Sequence, residues 1–264
     1  MASYKITWKP LSGFSTQLDS DTIFGHFCWA LNYLYEDNQK KLKELLMELE
    51  KRPALILSSA FPSGKLPKPV FPLSQNIISK IWQKLKEESS PPNKIDEKLL
   101  YSFNKKVKKD RFIERDSLKQ KSYQYDPQEF YYLNMMNELN KYLKSITESD
   151  EEEEKSVSTL EFHNKIDRLT GTTIPSGDVF VSTIHFYNKE MESYLDTDLY
   201  ELEELQNIFK LISMLGFGKD KHTGKGRFEI KVEPFDWGEC PQCNAYLNLS
   251  NMIPAESDPP KAFY

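Results

Sequence analysis

Three cysteines, four histidines and ten glycines in 264 residues are small numbers, and each shortage excludes something. So few thiols make no disulfide scaffold; with no leading apolar signal segment, they fit a reducing compartment and a cytoplasmic location. No apolar run approaches the ~20 residues that a bilayer-spanning helix needs, so no membrane partner is expected. No fixed-period repeat marks a solenoid. Serine, cysteine and carboxylate constellations with catalytic spacing are missing, so the sequence does not demand chemistry. Cys240 and Cys243 have the spacing of half a zinc site, but a structural site takes four ligands. The pair reads as two buried thiols, and neither a metal nor a cofactor is expected.

What is abundant is charge, and it is segregated. The net charge of -5 argues by itself against a nucleic-acid binder, because a polyanion is normally met by a basic surface. The acids, however, gather in residues 148–154 and around residues 201–204. The cations gather in residues 104–121, with eight Lys or Arg against three acids, and in residues 216–227. Such a map permits a basic groove on an acidic protein.

Residues 216–227 hold four of the ten glycines and four cations against one acid. Glycine permits positive φ and close approach, so such a loop can present bare N–H groups beside mobile cations, the chemistry of an anion site. A free chain orders such a loop at a high entropic cost, so the loop is expected to be organised by what it binds. Nucleotide templates do not fit it. Five residues separate Gly218 from Gly224 where a Walker A loop has four, a helix precedes it, and Lys221 stands where G-x-G-x-x-G needs its last glycine. The remaining anion is a phosphate backbone.

Along the chain, residues 4–9 alternate bulky and cationic residues as a half-buried strand ended by Pro10. The small-residue loop at 11–16, with Ser12, is either a turn or a source of phosphate donors. Residues 19–22 supply N-cap candidates and first-turn acids for a helix on which Ile23, Phe27, Ala30, Leu31 and Leu34 share one face. His26 lies on that helix, as a packed residue or an acid/base group. A charged helix over 39–51 and a short strand within 53–60 follow. Residues 61–72, with four prolines, read as an irregular surface loop whose Lys65 and Lys68 face either an anion or solvent. Residues 74–160 read as an inserted unit, with helices at 75–88 and 127–147 interrupted at 89–93 and 105–111. The basic tract interleaved with Phe103, Phe112 and Tyr123 has the composition of a single-strand nucleic-acid surface, or of a solvated hairpin. The acidic tract is a linker or a contact for a basic partner. A strand at 177–187, a helix capped by Asp198 and carrying Leu199 through Leu215, a left-handed Gly216 terminator, and a strand at 227–233 complete the order. The expectation is α+β: a ferredoxin-like (RRM-like) βαββαβ core. It takes residues 1–73 and 161–233, with a thumb-like insertion at 74–160 and a C-terminal segment, 234–264.

Four segments, in matching order, resemble the RAMP superfamily of CRISPR systems: residues 20–29, residues 60–62 with 66–69, residues 163–168, and residues 216–228. Within its Cas-five-like group they look most like the Csm-four subunit of type III-A interference complexes. The resemblance implies a non-catalytic subunit that caps the 5′ handle of crRNA, with the insertion as its thumb. It docks the large Cas-ten-type subunit and the first backbone RAMP subunit of the Csm complex. Its RNA-binding positions fall here on Gly216, Gly218, Lys219, Lys221, Thr223, Gly224, Lys225, Gly226 and Arg227, and on Asn164, Lys165 and Arg168. Ser12 and Lys68 lie in the neighbouring segments. Residues 247–254 look like the family's C-terminal region, where a second RAMP-like unit is expected to start. The alternative within the superfamily is an endoribonuclease that cuts precursor crRNA without metal, with His26 as general acid or base and Lys225 or Arg227 stabilising the phosphorane.

Overall fold

The computed structural model describes residues 1–35, 39–69, 73–88, 96–116, 126–147, 157–163, 167–170, 172, 180–187, 189–238 and 247–251. The chain divides into two compact units, the first taking Met1–Ser63, Glu154–Gly238 and Leu249–Met252, the second built mainly from Gly64–Glu153.

In the first unit the elements are β1 (Ala2–Pro10), α1 (Ser20–Leu34), α2 (Lys40–Lys51), β2 (Leu55–Leu57) and β3 (Phe61–Pro62). In the second come β4 (Lys65–Pro67), α3 (Gln75–Glu88), α4 (Glu97–Lys109), β5 (Phe112–Glu114) and α5 (Pro127–Thr147). The chain then returns to the first unit through β6 (Val157–His163), β7 (Phe180–Phe186), β8 (Met191–Thr197), α6 (Leu202–Leu215) and β9 (Phe228–Pro234). The result is a mixed α/β protein with antiparallel sheets.

The main sheet has the order β2-β8-β1-β9, with β3 added beside β8, and its pairings are antiparallel. Alternation on β1 puts Tyr4, Ile6 and Trp8 on the face covered by α1 and α6, where they join Ile23, Phe27, Leu31, Leu205, Ile208, Phe209 and Ile212. Fully buried Trp8 meets Phe209, Phe217 and Phe228 edge-on at 5.7–5.9 Å, each pairing adding about 0.5–1.5 kcal/mol beyond area burial. Its indole N–H donates to Ser193 Oγ at 2.8 Å, so the one polar group of this side chain is satisfied. On the other face Lys5 and Lys9 lie opposite Glu233 and Glu229 in the β1–β9 register and pair with them.

The strand at the centre of this sheet differs from the sequence expectation. The β-branched run read as a core strand forms a separate hairpin, β6–β7. The core position belongs to β8, whose sequence MESYLDT carries two acids and a serine. Buried Glu192 accepts from Ser63 Oγ at 2.8 Å and from Tyr194 O–H at 3.0 Å, which makes burial of the carboxylate tolerable. Residues 61–67 are also more regular than expected, forming β3 and β4. Asp198 does not cap α6. It pairs with Arg52 at 2.6 Å, and Glu201 is the N-cap, its N–H bonded to Glu204.

The second unit packs α3, α4 and α5 around Trp82, Leu85, Leu100, Phe103 and Met135. Helix α4 takes up the first five residues, 105–109, of the tract expected to interrupt the helices, and ends at Asp110. Phe103 is buried in this core, so it cannot stack on a base. Among the described residues, no helix is long and apolar enough to cross a membrane.

Candidate nucleic-acid interface

The glycine loop joins α6 to β9, and the protein itself holds it. Helix α6 ends at Gly216, whose N–H donates to Ile212 O at 3.0 Å. At φ 81° and ψ 159°, Gly216 has the positive φ expected of a terminator but an extended ψ, a combination suited to glycine and not the left-handed helical one. Phe217 turns inward against Trp8, and its N–H bonds to Gly226 O at 2.8 Å, closing the base of the loop.

The 11–16 segment and α1 then grip both arms. Gly218 N–H donates to His26 Nε2 at 2.9 Å, and Lys219 N–H to Thr16 Oγ1 at 2.8 Å. Gly226 N–H donates to Gly13 O at 3.0 Å, and Arg227 N–H to Ser12 Oγ at 3.0 Å. At the tip, Thr223 N–H and Oγ1 both donate to Asp220 O, and residues 221–223 form one turn of 3-10 helix. The ordering expected from a ligand is therefore supplied by folding. The N–H groups of 216–219, 223, 224, 226 and 227 are all occupied within the protein, so the cradle of bare amides expected there is not what this loop presents.

The expected site residues now separate into groups. Ser12 and residues 216–227 meet in one place, joined by Gly13, Thr16 and His26, which sequence reasoning did not assign to the loop. Lys225 and Arg227 have intramolecular partners that turn them from the outward side. Lys225, largely buried, pairs with Glu161 on β6, and Arg227 Nη1 donates to Met214 O at the carbonyl end of α6, 3.0 Å away. The outward arc runs from exposed Lys219 past half-buried Lys221 to exposed His222, Thr223 and Gly224. Lys68 does not face outward for an anion. It lies in the second unit, half-buried, with its ammonium donating to Val107 O and its pKa lowered by that burial. Arg168 is exposed in a turn shaped by Asp167, whose carboxylate accepts from Leu169 N–H at 2.8 Å. Asn164, Lys165, Tyr123, Cys240, Cys243 and the acidic tract lie outside the described residues.

His26 has a positioning role in this geometry. Its ring stacks on Phe217 with centroids 4.3 Å apart, and Nε2 must be unprotonated to accept from Gly218. Burial first, and then the Lys221 ammonium, lower its pKa below the ordinary imidazole value. Both effects favour the neutral tautomer that the hydrogen bond needs.

Residues 17–229 match the family model of the RAMP superfamily. No curated protein matches the chain. Among solved structures, a Csm1-Csm4 cassette in complex with cA4 is similar at 15% identity and TM-score 0.46, over 89% of this chain and 71% of that one. A Csm3-Csm4 subcomplex of the type III-A CRISPR-Cas interference complex is similar at 16% identity and TM-score 0.43, over 88% and 70%.

Proposed function

Because this chain belongs to the RAMP superfamily, we propose that it is a non-catalytic crRNA-binding subunit of a type III-A (Csm) effector complex, seating the 5′ handle of crRNA against the glycine loop. The observation that carries this reading is the loop itself. An outward arc with Lys219, Lys221, Thr223 and Gly224 is fixed at both arms by hydrogen bonds that loop N–H groups donate to the 11–16 segment and His26. A preformed, cationic, glycine-bearing arc binds a phosphate backbone without a further ordering cost at the moment of binding. The four motif segments that resemble the Csm-four subunit support the choice of RNA end, and imply the Cas-ten-type large subunit and a backbone RAMP subunit as partners.

In this reading the first unit is a ferredoxin-like core. Strands β1, β2, β8 and β9 with α1 and α6 supply the βαββαβ order, and the sheet order β2-β8-β1-β9 supports it. The helical second unit is its thumb-like insertion. Affinity-tagging the chain in its native host and sequencing the co-purified RNA tests the assignment. CRISPR RNAs sharing one repeat-derived 5′ end, recovered with a large polymerase-like subunit, are expected. RNA with scattered ends, or no RNA, would overturn it.

A further inference from the structure

Among the described residues, the second unit carries a basic helix face without ion-pair partners. Helix α4 buries Leu100, Phe103 and Val107, and the 100° step of a helix puts Lys98, Lys105 and Lys109 together on the opposite side. Lys106 and Lys108 flank them, and Tyr101, 58% exposed, lies beside the stripe with its ring edge-on to Trp82 at 4.9 Å. From Lys98 to Lys109 the stripe extends about 16 Å along the axis.

Neither of two ordinary explanations covers all of these lysines. One is ion pairing within the unit, as in Lys86–Glu97 at 3.5 Å and Lys141–Glu138 at 2.9 Å. None of the five α4 lysines makes an ion pair among the described residues; Glu97 is taken by Lys86, and Asp96 accepts from Leu99 N–H as the N-cap. The other is service to the negative end of the helix dipole, which Lys106, Lys108 and Lys109 in the last turn can give but Lys98 and Lys105, outside that turn, cannot. What remains is repulsion: Lys105 with Lys108 and Lys109, and Lys106 with Lys109, are like charges at i,i+3 or i,i+4, each pairing unfavourable. A polyanion laid along the helix relieves it.

We propose that the α4 face formed by Lys98, Lys105 and Lys109, with Tyr101 at its margin, is a second binding surface for single-stranded RNA, separate from the glycine loop and independent of handle sequence. The lysines bind phosphates, and Tyr101 offers a stacking face for a base. An acidic protein segment would use the lysines but gain nothing from an aromatic ring placed among them.

The test uses the full chain and a fluorescein-labelled 20-nucleotide oligouridylate, which lacks any handle, titrated across salt concentrations. The triple variant Lys98→Glu, Lys105→Glu, Lys109→Glu should bind at least about tenfold more weakly at low salt. Its log–log salt slope should be shallower by about two, at roughly 0.7 for each phosphate that is no longer neutralised. Tyr101→Leu should weaken binding with the slope unchanged. The milder Lys105→Gln, Lys109→Gln pair, with its melting temperature measured alongside, separates loss of binding from loss of fold and should show the same trend. The loss caused by the triple variant should be the same in a Lys219→Glu, Lys221→Glu background, so failure of the handle assignment and failure of this one are distinguishable. Unchanged affinity and slope in the triple variant would overturn the proposal. So would loss of binding to a polyglutamate peptide with RNA binding intact.

Discussion

His26 Nε2 accepts a hydrogen bond from Gly218 N–H at 2.9 Å, across 192 positions of sequence, and this bond ties the first helix to the glycine loop. The imidazolium form cannot make it. Burial and the Lys221 charge both disfavour that form in the folded protein, so the unfolded chain binds this proton more readily. The stability supplied by the neutral ring is complete above the ordinary imidazole value of about 6.5 and is lost as pH falls through the lower folded value. Thermal melting should therefore decline across that acid window, and His26→Gln, which retains an acceptor but does not titrate, should flatten the decline. An unchanged slope in the variant would remove His26 from the loop's support.

Two glycines of the loop should respond very differently to alanine. A Cβ at Gly226, where φ is 65°, would lie 2.0 Å from Phe217 O, whereas one at Gly224, φ 86°, meets nothing within 4 Å. Denaturant unfolding should show Gly226→Ala losing about 2–4 kcal/mol, from main-chain overlap added to backbone strain. Gly224→Ala should lose about 1 kcal/mol, the cost of the left-handed region alone. Equal losses would contradict the packed base described for the loop.

Much of this fold follows from local pattern. The apolar stripes of α1 and α6 and the alternation of β1 and β9 are strong enough in isolation to place four elements of the main sheet and its covering layer. Strand β8 is hidden because Glu192, Ser193 and Asp196 look like a solvated turn; only Ser63, Tyr194 and Trp8, brought in by the tertiary fold, make Glu192 and Ser193 fit for burial. The glycine loop stands out in composition, but its state does not. That Lys225 is paired and Arg227 sits on a helix end depends on Glu161 and Met214 being placed beside them. Thr16 and Gly13 carry no signal of their own; they matter because Gly218 and Gly226 press against that segment.

The Lys225–Glu161 pair leads to a prediction on affinity. Lys225 is only 17% exposed and is neutralised by a carboxylate that a phosphate must compete with. Glu161→Gln should strengthen handle RNA binding severalfold and steepen its salt dependence by about 0.7 in log–log slope. Weaker binding would mean that Glu161 orders the site more than it screens it.

Trp8 and Ser193 test the core beneath the loop. Both are fully buried, and Ser193→Ala leaves the indole N–H without its partner, which should lower stability by about 1–3 kcal/mol in denaturant unfolding. Ser193→Thr, which keeps a hydroxyl, should lose less if the extra methyl is accommodated. A neutral Ser193→Ala would show that the hydrogen bond does not anchor Trp8.

The most direct test of the central claim, that the preformed arc from Lys219 to Gly224 seats RNA, is equilibrium titration of a crRNA 5′-handle oligonucleotide with the parent protein and with Lys219→Glu, Lys221→Glu. The account predicts weaker binding and a salt slope shallower by about one to two, with the unfolding transition unchanged. The same affinity and slope in both proteins would contradict it.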